Sequence, residues 1–180
     1  MRIALTAAIA VLLLAASSAD LAAEERLTVT STAFKDGGQI PKDQACRRRH
    51  GGGDKSPALA WSGAPAATKA FVIIVDDPDA QSVAGHTWVH WNAFNIPPTT
   101  TSIAATASGS IDGAVVTRNH NKKAGYSGMC PPNGRHKYYF AVYALDGPIA
   151  DPPSAITRQA FEQRYRAKIL AKGEISGVFG

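Results

Sequence analysis

The chain is poor in the features that commit a protein to a membrane, a metal or a nucleic acid. Its longest apolar run, Ile3 to Ala16, is about a dozen residues, short of the ~18–20 that a spanning helix needs. No cysteine follows that run to accept a lipid. There is no Cys-x-x-Cys, no helical H-x-x-x-H pair and no G-x-S-x-G elbow, so the usual signatures of thiol redox, zinc and serine-hydrolase sites are missing. Excess charge is small, 19 basic against 14 acidic residues. It gathers in Arg47-Arg48-Arg49 and in the tail around Arg164, Arg166, Lys168 and Lys172. Neither stretch has the interleaved aromatics of a nucleic-acid reader, which excludes that class of partner. Neither a repeat nor a low-complexity tract divides the chain.

What is present begins with an export signal. Arg2, the apolar run and the small residues Ser17-Ser18-Ala19 fit a signal peptide over 1–19, leaving residues 20–180 as one domain in the periplasm or outside the cell. A retained N-terminal anchor is the other reading of the same segment. The only two cysteines, Cys46 and Cys130, are an even pair in a chain bound for an oxidising compartment, so a disulfide is expected, with two buried free thiols as the alternative.

Gly and Pro, 16 and 11 residues, punctuate short apolar or alternating runs, the pattern of a mostly β, α+β domain. Strands are expected at Leu27–Phe34, Leu59–Trp61, Phe71–Val75, Thr87–Ile96 and His136–Leu145, with a last short one at Glu174–Phe179. In the fourth of these, strict alternation sets Trp88, His90, Asn92 and Phe94 on one face. A single helix is expected over Ala155–Ala171, capped by Ser154, carrying Phe161, Tyr165 and Ile169 on one stripe and stopped at Gly173.

Three segments hold more polar residues than a scaffold requires. Asp76-Asp77-Pro78-Asp79 ends a buried strand, where it either starts a turn or points Asp77 and Asp79 into a pocket. His90 lies between Val89 and Trp91 and needs a hydrogen-bond partner, as a core imidazole or as a functional one. The loop Gly125 to Gly134, containing Cys130-Pro131-Pro132, runs directly into His136 and Tyr138. Its glycines can turn backbone N–H groups toward an anion. A metal held by His86, His90 and His136 lacks supporting spacing, and no nucleophile accompanies the imidazoles. The expectation is therefore a binding protein with neither enzymatic activity nor a cofactor.

Taken together, Asp77-Pro78-Asp79-Ala80, His90-Trp91 leading to Asn95-Ile96-Pro97, Gly125-Tyr126 with Cys130-Pro131-Pro132, and His136-Lys137-Tyr138-Tyr139-Phe140 resemble the phosphatidylethanolamine-binding protein family. Cys46 with Ser56 to Trp61, and Val142 to Asp146, resemble its bacterial branch of Raf-kinase-inhibitor-like proteins. The resemblance runs from about Leu27 to Phe179 and implies a large antiparallel sheet packed on a smaller one. It implies a pocket for a small anion or phosphorylated head group, including that of a lipid, at Asp77, Asp79, His90, Cys130, Pro131, Pro132, His136 and Tyr138. It also implies a protein partner such as a protease or kinase as the alternative role. Within that pocket the two carboxylates are expected to accept from His90 and from a ligand ammonium, favouring zwitterions such as phosphoethanolamine. Gln81 stands where the family carries a proline, and Arg47-Arg48-Arg49 where relatives carry small polar residues. That basic run is either a solvated turn or a source of positive field at the pocket mouth.

Overall fold

The computed structural model describes residues 25–106 and 109–180, so the expected signal peptide lies outside the described residues. Among the described residues ten strands are present in chain order: β1 (Glu25–Arg26), β2 (Thr28–Thr30), β3 (Gly38–Gln39), β4 (Leu59–Ser62), β5 (Ala70–Asp77), β6 (Trp88–Ile96), β7 (Ser102–Ile103), β8 (Val115–Val116), β9 (His136–Leu145) and β10 (Ile169–Phe179). The larger sheet runs β1-β10-β9-β5-β6-β8, with β3 also paired to β10. Its long strands are antiparallel, while the short β1 and β3 join the edge of β10 in parallel. The smaller sheet is β2-β4-β7.

β5 and β9 are buried on both faces over most of their length because residues 70–75 and 140–145 are apolar at every position rather than at alternate ones. Phe71, Ile73, Val75, Phe140 and Val142 face the smaller sheet, meeting Trp61, Val29 and Leu59. Val72, Ile74, Ala141, Tyr143 and Leu145 face the other way, against Phe161, Ile149 and Ile156. Phe161 belongs to helix α3 (Arg158–Tyr165). The result is three layers: small sheet, large sheet, helix.

The sequence expectations need four corrections. The first strand is two short pieces, β1 and β2, because Leu27 turns the chain from one sheet to the other. The helix expected over Ala155–Ala171 is confined to α3, capped by the Thr157 side chain accepting from the amide of Ala160, not by Ser154. Its turns end at Tyr165, a 3-10 turn follows at Arg166–Lys168, and the residues from Ile169 onward pair with β9 instead. Gly173 is consequently no helix stop. It sits within β10, where an added Cβ would lie 2.2 Å from the Leu27 carbonyl oxygen, so glycine is what allows that crossing.

The fourth correction concerns β6. Val75 pairs with Trp91 but Asp76 pairs with Val89, so β6 holds an extra residue at His90. Such a bulge reverses the facing of whatever follows it. Trp88 and His90 line a cavity and Trp91 and Ala93 continue on that face into the main core, whereas Asn92 and Phe94 belong to the helix face. Strict alternation groups His90 with Asn92 and Phe94; the bulge separates them.

Candidate functional site

A cavity of about 570 Å³ opens where β5, β6 and β9 end, walled by the 46–54 and 128–132 loops. Six of the eight residues expected at the site line it: Asp77, His90, Cys130, Pro131, Pro132 and His136. At its base are His90 and His136, 3% and 5% exposed. His136 opens β9 and donates from Nδ1 to Asp77 Oδ2 at 2.7 Å. The other Asp77 oxygen accepts from the amide of Ala80 at 3.1 Å, holding the turn that follows β5. His90 Nδ1 donates to the Ser127 carbonyl at 2.8 Å. Burial lowers the His90 pKa, against the carbonyl bond and the charge of Asp77, which favour the proton. Its ring is therefore neutral near pH 7, and Nε2 is the nitrogen left for the cavity.

The other two expected residues do not line the cavity. Tyr138 is fully buried, and its hydroxyl has no hydrogen-bond partner among the described residues. Its ring packs edge-on to His90 at 5.4 Å between centroids and stacks on His136 at 6.3 Å. It supports both imidazoles from beneath, and burial together with the nearby Asp77 charge pushes its pKa far up, so the hydroxyl keeps its proton. Asp79 is exposed and accepts from the amide of Lys137 at 2.8 Å, fixing the start of β9. The expected pairing of the carboxylates with His90 is thus replaced by Asp77 with His136 and Asp79 with the β9 backbone. The bulge explains this, because it turns His90 toward Ser127 rather than toward β5.

Cys46 and Cys130 form a disulfide, with Cα atoms 5.3 Å apart. Around it the two loops run side by side: the amide of Cys46 donates to Met129 O at 2.9 Å and that of Met129 to Gln44 O at 3.2 Å. Gly128 permits this approach, since an added Cβ would come within 2.5 Å of Ala45 C and Cys46 N. The basic run forms a single helical turn, α1 (Arg47–His50). Asp54 ties that turn to the glycine loop by accepting from the amides of Arg47 and Gly128, both at 3.1 Å. His50 Nε2 donates to the Pro131 carbonyl at 3.0 Å.

This clamp brings in residues that the site motifs missed. Arg48, Arg49 and Lys123 line the cavity, as do Asp54 and Trp88, and the three cations are exposed at its rim. Among the described residues none of these cations pairs with a carboxylate. The basic run and Trp88, two residues before His90 on a strand, were visible in the sequence; Asp54 and Lys123 carried no signal. His86 stands apart from the cavity, against Trp88 and His120. Gln81 opens the short helix α2 (Gln81–Ala84) at φ −51°, and its side-chain amide closes that turn on the Gly85 carbonyl. The turn after Asp79 thus forms with glutamine in the proline's place.

The sequence model described as phosphatidylethanolamine-binding protein matches residues 30–180. A curated relative, the UPF0098 protein YbcL of Escherichia coli K12, is 40% identical over 164 residues, covering 84% of this chain and 86% of its own. A UPF0098 protein of Methanothermobacter thermautotrophicus is 35% identical over 156 residues, covering 85% and 98%. The crystal structure of E. coli YbcL, described as a new member of the mammalian PEBP family, matches with a TM-score of 0.76 at 35% identity, covering 87% of this chain and 98% of that one. A homologue from Chlamydia trachomatis matches with a TM-score of 0.73 at 34% identity, covering 87% and 98%. With this agreement of sequence and fold, the chain belongs to the phosphatidylethanolamine-binding protein family.

Proposed function

We propose that the cavity binds a small oxyanion, either free phosphate or the phosphorylated head group of a larger molecule such as a lipid, and that the protein does so after export to the periplasm or beyond. The observation that carries this reading is the convergence of two buried imidazoles, His90 and His136, with the unpaired cations Arg48, Arg49 and Lys123 on one cavity. Each imidazole has Nδ1 committed to an acceptor, which leaves Nε2 to meet a ligand; in the neutral His90 ring that nitrogen accepts from the P–OH of a monoprotonated phosphate, and once protonated it donates. The Asp77 carboxylate accepts from Nδ1 of His136 and so fixes that ring with Nε2 as its free nitrogen, a donor to an oxyanion. Binding is favoured over turnover because the described cavity lining has no serine, threonine or free thiol to act as nucleophile. The disulfide supports an oxidising compartment.

A second reading, modulation of a protease or kinase through the exposed arginines of α1, has one supporting observation. A protein of this fold, the carboxypeptidase Y inhibitor, is known in complex with its cognate proteinase. At 14% identity that likeness reaches the fold alone.

Calorimetric titration with orthophosphate is the test. Saturable binding is expected, and His136→Ala should weaken it by roughly ten- to a hundredfold, the loss of a charge-assisted donor worth about 1.5–3 kcal/mol. No saturation at millimolar phosphate, or a variant that binds as the wild type does, refutes the pocket. A melting temperature that rises only with a protein partner then favours the second reading.

A further inference from the structure

We propose that the cavity selects ligands carrying two anionic groups, in the manner of a diphosphate, over zwitterions such as phosphoethanolamine. The inference rests on the oxyanion reading and concerns which oxyanion is preferred.

The cavity is built in two tiers. Its base is His90 and His136, both buried, and its rim is Arg48, Arg49 and Lys123, all exposed. A volume of about 570 Å³ falls in the range of clefts that hold drug-sized ligands, more than a single phosphate group fills. An anion seated between the imidazoles leaves the rim cations free to meet a second one.

The acidic side chains at the site are already engaged. Both oxygens of Asp77 accept hydrogen bonds, from His136 and Ala80, and the residue is 3% exposed. Both oxygens of Asp54 accept from backbone amides, those of Arg47 and Gly128. Asp79 faces solvent outside the cavity and accepts from Lys137. A ligand ammonium entering this site therefore finds no unengaged carboxylate and meets three cations, which repel it. A second anionic group meets the same cations favourably and leaves the existing hydrogen bonds intact. α1 can hold two of its three arginines, Arg48 and Arg49, at the rim because the disulfide, His50 and Asp54 fix that turn to the loop forming the opposite wall.

The experiment compares orthophosphate, pyrophosphate and phosphoethanolamine by calorimetric titration of the disulfide-bonded protein. Pyrophosphate should bind about tenfold more tightly than either of the others, the gain of one further charge-assisted contact at a solvent-facing rim. That margin should shrink as salt is raised. In the double variant Arg48→Gln/Arg49→Gln the ratio of pyrophosphate to orthophosphate affinity should fall toward one. In Arg48→Lys/Arg49→Lys, which keeps the charge, the ratio should largely persist, and this separates loss of charge from damage to the loop. The inference is overturned if orthophosphate binds but pyrophosphate gains nothing, if phosphoethanolamine binds as tightly as pyrophosphate, or if the preference survives the glutamine substitutions. If none of the three saturates the wild type, the oxyanion reading itself fails.

Discussion

His90 carries two demands of opposite sign. Its folded pKa is lowered, first by burial, so the folded state refuses a proton that the unfolded chain accepts below about pH 6.5. The stability this contributes is fully present above pH 6.5 and is lost as pH falls through the window beneath it. His120 shifts in the same direction through burial and the neighbouring His86, and adds to the same window. Asp36 and Glu162, whose pKa values are lowered from carboxylate references of 3.8 and 4.5, lose their contribution only at more acid pH. The melting temperature should therefore drop between about pH 7.5 and 5.5, and His90→Gln, which keeps a donor for Ser127 but cannot titrate, should show a smaller drop. An equal drop in both proteins contradicts the assignment. Anion binding runs the other way, because an oxyanion at Nε2 favours the proton, so affinity should rise as pH falls through the same window.

At the scale of elements, the ends of the strands decide where the chemistry sits. Asp76 and Asp77 are adjacent on β5 yet face opposite layers: Asp77 meets His136 in the cavity, and Asp76 meets Arg158 at the start of α3. The Arg158 side chain donates from Nε to Asp76 at 2.6 Å, its amide donates to the same carboxylate at 2.9 Å, and its guanidinium stacks 4.0 Å over the Tyr139 ring. Burial nevertheless raises the Asp76 pKa, outweighing the arginine beside it. Arg158→Met should cost about 3–5 kcal/mol in denaturant unfolding, because it leaves that carboxylate buried without its cation. A loss below about 1 kcal/mol, the value of an exposed pair, contradicts the view that this pair anchors α3 to the sheet.

The elements also mark how far the sequence could be read. The strand His136–Leu145 was legible to the residue, since a long apolar and aromatic run between loop signals has one solution. The central strand at Phe71–Val75 was legible for the same reason, though it extends over Ala70–Asp77. The β6 bulge was not, because nothing in Val89-His90-Trp91 distinguishes a bulged strand from a regular one, and Asp76 and Trp91 are far apart in the chain. Nor was the early end of α3: Ile169 fits the helical stripe of Phe161 and Tyr165, and only pairing with β9 turns Ile169 to Ala171 into strand. Of the site, the motif residues at strand ends were legible. The cations at the rim depend on a crosslink across 84 residues, which places Arg48 and Arg49 by tertiary geometry rather than by local pattern.

Across the whole molecule, the disulfide joins the two loops that wall the cavity. By restricting the unfolded chain over that span it contributes on the order of 4–5 kcal/mol in the chain-entropy model. The core explains why the cavity can hold a fixed shape: strands β5, β6 and β9 are covered by the small sheet on one face and by α3 on the other, and the imidazoles project from their ends. Rigid strands position the donors, and the clamped loops bring charge to them.

The claim that the two imidazoles meet an oxyanion is tested most directly by observing them. Long-range nitrogen–proton NMR of uniformly labelled protein resolves the ring nitrogens of each histidine, and orthophosphate can be titrated in while they are followed. Oxyanion binding at the cavity base predicts saturable shifts of Nε2 in His90 and His136 with one shared dissociation constant. The exposed His86 and the Nδ1 of His50 should stay near their starting positions. Phosphate that shifts only His86 or His50, or that leaves every imidazole unmoved at millimolar concentration, would contradict the claim.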